Sequence, residues 1–145
     1  PNAKACLLGL DDQNTGTNNI LRSAVEGVTY GLKYGLGRLA DNSVRAEKII
    51  LTGGGAKSDA WRQIVADICD APVEMHKQEE GAAFGAALQA LAMLEETELT
   101  SLVKEHLDRD STRCCEPDPS TVTFYDEAYF RDRQSVEQIA SIYGN

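Results

Sequence analysis

The sequence predicts an α/β fold, and three observations carry that expectation. Lys48-Ile49-Ile50-Leu51-Thr52 is a β-branched run without polar alternation, the pattern of a strand buried on both faces as in a parallel sheet. It runs into Gly53-Gly54-Gly55, after which Ser58 is placed to cap a helix whose apolar residues Trp61, Ile64, Val65, Ile68 and Cys69 follow i, i+3, i+4, i+7, i+8. Pro72 stops that helix, and Pro72 to Met75 reads as a second strand. The whole is a strand, tight turn, helix, strand unit, for which a right-handed crossover is expected.

The flanking elements are read the same way. After the polar stretch Asp11 to Asn19, a helix is expected with Thr17 or Asn18 as its cap, running to about Ala40. Leu21, Val25, Val28, Leu32, Leu36 and Leu39 share one face of it, and Gly27, Gly31 and Gly35 recur every fourth residue. Each glycine costs about 1 kcal/mol against alanine in a helix, so three in register predict a closely packed partner, either internal or a second copy in a homodimer. From Glu80, the run Gly81 to Leu88 is small and apolar all round, which predicts a buried helix with close approaches at Gly81 and Gly85. A short helix over Leu99 to Leu107 and a turn-rich surface loop from Asp108 to Pro119 follow. The last segment carries Tyr125, Tyr129, Val136, Ile139 and Tyr143 at helical spacing, a terminal helix docking by its tyrosines. There is no internal repeat.

Composition narrows the function classes. The chain has 145 residues, 42% of them hydrophobic and 26% charged, a size that supports a core without disulfides or metal. Its 14 Lys and Arg against 23 Asp and Glu give a formal charge of -9, which repels phosphate backbones and anionic lipid and argues against nucleic acid and membrane as partners. Cys6, Cys69, Cys114 and Cys115 show no CxxC spacing and read as free thiols of a cytoplasmic protein. No apolar run approaches the ~20 residues that span a bilayer. Pro1-Asn2-Ala3-Lys4 is neither a signal peptide nor a methionine start, so the chain is expected to begin mid-protein.

A glycine turn between a strand and a helix invites a nucleotide, because absent side chains let a ligand lie against backbone donors. A P-loop is excluded: Ala56 precedes Lys57-Ser58 and Leu51 occupies the earlier glycine position. A dinucleotide fingerprint matches at Gly53 and Gly55 but meets Ser58 at its third position, and Glu74 stands about 20 residues on, where such folds hold a ribose hydroxyl. Asp59 in the first helical turn opposes a pyrophosphate there. A non-catalytic nucleotide or dinucleotide module is therefore the alternative reading. Asp11, Asp12 and Asp67 read as solvated acids, and His76 and His106 as surface residues without ligand spacing. Trp61 lies in the apolar stripe, which favours packing over stacking on a base.

The run Leu51 to Ser58 with Trp61-Arg62-Gln63 and Ala66-Asp67, then Pro72-Val73, then Glu79-Glu80-Gly81-Ala82-Ala83-Phe84-Gly85-Ala86-Ala87, resembles the FGGY family of carbohydrate kinases, nearest to its xylulose-kinase members. Arg22 to Val28 is similar to the helix preceding the motif in that family, and Glu116-Pro117-Asp118-Pro119 with Tyr125 to its C-terminal tail. The resemblance implies an actin-like, ribonuclease-H-like fold, of which residues 1–145 are a partial C-terminal domain: 1–107 the α/β part with the adenosine motif, 108–145 a loop and terminal helix. It implies an ATP-dependent sugar kinase of carbohydrate metabolism, converting D-xylulose to D-xylulose 5-phosphate. The nucleotide-binding residues it implies are Gly53, Gly54, Gly55, Ala56, Ser58 and Asp59, with Gly54, Gly55 and Ala56 walling the adenine and Ser58 or Asp59 accepting from its amine. No catalytic residue and no metal ligand is assigned to this segment. The catalytic carboxylate, the Mg2+ site and most of the ketose site are implied to lie upstream, so the segment alone is expected to be inactive.

Overall fold

The computed structural model describes residues 4–78 and 81–143, so Pro1 to Ala3 and the Glu79-Glu80 pair of the family-like motif lie outside the described residues. The chain forms two compact units, 1–45 with 67–69 and 118–145, and 46–66 with 70–117.

In the first unit, α1 spans Thr17–Ala40 and α5 spans Pro119–Tyr143. The start of α1 corrects the expected cap: Gly16 holds the N-cap position and no side chain caps the helix. Asp118 opens α5, its carboxylate accepting from the Ser120 amide at 2.9 Å, with Pro119 at the first helical position where no amide is needed. The Asp118 amide donates in turn to the Asp67 carboxylate at 2.8 Å, so Asp67 is a buried structural acceptor and not the solvated acid expected. Tyr125 of α5 is buried, its hydroxyl set between Arg22 and Glu26 of α1, and the Tyr30 and Tyr129 rings stand 5.9 Å apart. The tyrosine docking thus holds, with Lys33 pairing to Asp126 and lying over the Tyr129 ring. Burial pushes the Cys69 thiol up to about 11, as suits an inert free cysteine.

The face of α1 turned to α5 is not the expected one. Thr29 and Tyr30 are buried, whereas Leu21, Val28, Leu32 and Leu39 are 45–64% exposed. Added methyl groups at Gly27, Gly31 and Gly35 would meet nothing within 4 Å, so the expected close partner is absent among the described residues. The mixed face wins because its polar groups, Glu26 and Lys33, find partners on α5.

In the second unit, β1 (Ile49–Ile50) and β2 (Val73–Glu74) pair in parallel, Ile49 opposite Val73. Between them in sequence runs α2, Asp59–Cys69, whose Ile64, Val65 and Ala66 are buried and whose last three residues belong to the first unit. It ends at Cys69 because Asp70 adopts a left-handed conformation, two residues before the proline expected to stop it. The β1 expectation needs correction: the strand is two residues long and Ile50 is 46% exposed, since β2 is its one partner among the described residues. The predicted surface loop is also corrected. Cys115 exchanges both backbone bonds with Val73, and the Asp110 amide reaches the Met75 carbonyl at 2.8 Å, so residues 108–115 line the other edge of β2. Helix α3 (Gly81–Leu94) packs on α4 (Leu99–His106) through buried Leu88 and Leu102. The rest of α3 is more exposed than expected, with Met93 and Leu94 over four-fifths open, because α4 covers one side only. Gly81 makes an ordinary contact with Thr52, and Gly85 no close one.

Asp110 fixes the 108–115 segment. Its carboxylate accepts from Thr112 and pairs with Arg113, which together lower its pKa from 3.8 to about 2. A depressed acid stabilises the fold above its unfolded pKa and loses that contribution as pH falls through the folded value. The stability difference between the native chain and Asp110→Asn is therefore expected to persist at pH 5–7 and to shrink between about pH 4 and pH 2, read by urea unfolding. A difference that is flat across that window contradicts the anchoring role. In the first unit, Tyr125→Phe removes a hydroxyl held by two charged groups and is expected to cost about 1 kcal/mol in the same measurement.

Candidate nucleotide-binding turn

The strand β1 delivers the chain to Gly53, whose φ of +88° is open to glycine and strained for other residues. The chain then tightens into one 3-10 turn over Gly55–Lys57, with amide bonds from Ala56 to Gly53, Lys57 to Gly54 and Ser58 to Gly55. Ser58 caps α2 as the sequence predicts, its hydroxyl accepting from the Trp61 amide at 3.3 Å.

Two side chains of α2 fold back on this turn. The Trp61 ring covers Gly55 so closely that a Cβ there would come within 2.5 Å of it. Arg62 is 3% exposed; its guanidinium donates to the Ala56 carbonyl at 2.8 Å and pairs with Asp59. The six residues expected at the nucleotide fall in three environments on this turn. Gly53 and Gly54 present open backbone, with nothing within 4 Å of a Cβ. Gly55 lies under Trp61, and Ala56 is buried. Ser58 and Asp59 stand at the helix start, and the Asp59 charge that opposed a phosphate is matched by Arg62.

A small cavity of about 10 Å³, room for one water-sized group, lies beside the turn. It is lined by Gly53 and Lys57 from the turn, Met75, His76 and Gln78 from the segment after β2, and Arg113. His76 is therefore no simple surface residue: its Nε2 is fully buried and lacks a partner, as does Gln78 Oε1. His106 is exposed as expected. Sequence reasoning missed the roles of Arg62, His76 and Gln78. Arg62 carried a signal, its i, i+3 spacing from Asp59 on a helix; the burial of the other two depends on residues 106–109, distant in sequence.

Glu74 does not stand free for a ribose. Lys48 bonds its carboxylate at 2.9 Å and Arg109 lies 3.4 Å away, and the Lys48 bond chiefly lowers its pKa. The dinucleotide reading loses its anchor there. No group of three metal-ligating side chains exists among the described residues. The acids nearest the turn, Asp59 and Glu74, are each paired with a cation, so this set does not fit Mg2+. A wider trough of about 670 Å³ in the first unit is bordered by the apolar Leu7, Leu10 and Phe124 and by the charged Glu26, Arg131 and Asp132. No described helix is long and apolar enough to cross a membrane.

Solved structures share this arrangement. A ligand-bound xylulose kinase from Lactobacillus acidophilus superposes with a TM-score of 0.88 at 24% identity, over 99% of this chain and 29% of that one. A gluconate kinase from the same organism gives 0.87 at 24% identity, over 99% and 28%. The fold is that of the C-terminal part of an actin-like sugar kinase. Residues 1–94 match the FGGY family of carbohydrate kinases, C-terminal domain, and the chain belongs to that family. A curated xylulose kinase from Haemophilus influenzae is 37% identical over 139 residues, 96% of this chain. The chain spans 28% of that relative's length.

The packing of Trp61 on Gly55 has a measurable consequence. Gly55→Ala is expected to destabilise the chain by about 1–3 kcal/mol through overpacking, and Trp61→Leu in that background to recover part of the loss. Urea unfolding reads both. Equal stability of Gly55→Ala and the native chain contradicts the contact.

Proposed function

We propose that this chain is the nucleotide-binding segment of an ATP-dependent kinase that phosphorylates D-xylulose to D-xylulose 5-phosphate. The observation that carries the reading is the turn itself: open backbone at Gly53 and Gly54 after a parallel strand, followed by the Ser58-capped helix. Ligands of open α/β sheets bind at such strand ends, and a capped helix start with its local acid neutralised tolerates a phosphate tail. The preference for D-xylulose leans on the relative at 37% identity, and the gluconate kinase with the same fold is the reason to test other sugars.

Within this reading Gly53 and Gly54 lie against the adenosine, Gly55, Ala56 and Ser58 hold their shape, and Asp59 borders the phosphates through its pair with Arg62. ATP and ADP are the nucleotides; Mg2+, the catalytic base and most of the ketose contacts belong to the remainder of the kinase. A cytoplasmic enzyme, active as a monomer or homodimer, fits the reading. Phosphoryl transfer depends on positioning the sugar hydroxyl, metal and phosphates together, so this segment by itself turns nothing over.

Steady-state assays of the complete kinase with ATP and D-xylulose, L-xylulose, ribulose, glycerol or gluconate test the proposal. D-xylulose is expected to show a kcat/KM at least about tenfold above the others, since pockets that hydrogen-bond sugar hydroxyls discriminate strongly. A preference for another sugar overturns the substrate, and no ATP-dependent turnover of any overturns the kinase reading.

A further inference from the structure

We propose that His76 and Gln78 select the nucleobase, their buried acceptors taking the two hydrogens of the 6-amino group of adenine and rejecting the 6-carbonyl of guanine or hypoxanthine. This rests on the nucleotide reading of the turn and moves the amine's acceptors away from Ser58 and Asp59, whose oxygens are engaged by the Trp61 amide and by Arg62.

The chemistry of the two side chains is fixed by their neighbours. His76 Nδ1 lies 3.3 Å from the Asp108 carbonyl oxygen. A carbonyl only accepts, so Nδ1 carries the hydrogen and Nε2 of the neutral ring offers a lone pair. Gln78 Nε2 donates to the His106 carbonyl at 2.8 Å, which sets the amide orientation and leaves Oε1 as an acceptor. Both of these remaining atoms are buried and without a partner. Buried acceptors are as a rule satisfied, so two left over on residues lining one cavity call for a donor.

The size and charge of the cavity identify that donor. It admits one water-sized group, the bulk of an amino group and not of a ring. A charged ammonium would face Lys57 and Arg113, which line the same cavity, whereas a neutral amine would not. The cavity also borders Gly53, where nothing lies within 4 Å of a Cβ. A flat base lying along Gly53 and Gly54 therefore has its edge group beside the only pair of unmatched acceptors among the described residues near the turn. A neutral amine with two hydrogens, carried on a planar base, is the 6-amino group of adenine. A carbonyl in its place sets acceptor against acceptor.

The test measures ADP and IDP binding to the complete kinase by calorimetry, together with kcat/KM for ATP and ITP, pairs that differ at the 6-position. The native enzyme is expected to favour the adenine nucleotide by about 30-fold or more, as sites built on hydrogen bonds do. His76→Leu with Gln78→Met is expected to reduce that ratio to about threefold or less, mainly by weakening the adenine nucleotide. Should the double variant fail to fold, Gln78→Met alone is expected to lower the ratio and Gln78→Glu, which keeps an acceptor, to retain most of it. A merely structural role lowers affinity for both nucleotides together and leaves the ratio unchanged. An unchanged ratio, including one produced by a bridging water in the cavity, overturns the proposal. Failure of the native enzyme to bind any purine nucleotide overturns the nucleotide reading beneath it, an outcome distinct from tight but indiscriminate binding.

Discussion

The site depends on one buried guanidinium. Arg62 ties the carbonyl of Ala56, at the end of the glycine turn, to the first turn of the helix that follows it. Taking that cation out of water is costly, and the carbonyl and carboxylate partners offset only part of the cost, since its buried Nε has no hydrogen-bond partner. The turn has few other restraints: three short-range amide bonds, a serine cap and a glycine with positive φ. Without Arg62, nothing in that set links the turn to the body of α2 beyond Ser58 and the Trp61 ring.

The same linkage changes the electrostatics of an acidic chain. A formal charge of -9 disfavours anions in general, yet the acids next to the turn are matched one by one. Asp59 pairs with Arg62, Glu74 with Lys48 and Arg109, and Asp110 with Arg113. Lys57 stands at the turn beside these pairs. Local neutralisation of this kind lets an anionic ligand approach one edge of a protein whose surface otherwise repels it.

What was legible in the sequence was local. Ser58 announces its helix by its own side chain, the stripe from Trp61 to Ile68 shows its period within three turns, and the glycines mark the reversal between strands. The order of these pieces sufficed to place the chain among sugar kinases. What was hidden depends on residues far apart. The face of α1 that carries Thr29 and Tyr30 is chosen by Tyr125 and Asp126, about a hundred positions on, against the leucine stripe that periodicity favours. The 108–115 segment reads as a loop because its pairing with Val73 and Met75 leaves no local alternation. His76 reads as a surface residue until the Asp108 carbonyl is seen beside it. At the candidate site, the glycines and Ser58 could be named from pattern, whereas the burial of Ala56 and the covering of Gly55 follow from α2 folding back on the turn.

Hydrogen exchange across the complete kinase, with and without saturating ADP, tests the central claim most directly. Nucleotide lying on the turn slows exchange of the amides over residues 53–58, while those of α5, in the other compact unit, change little. Saturable ADP binding that leaves residues 53–58 unprotected would contradict the assignment of this turn as the nucleotide wall.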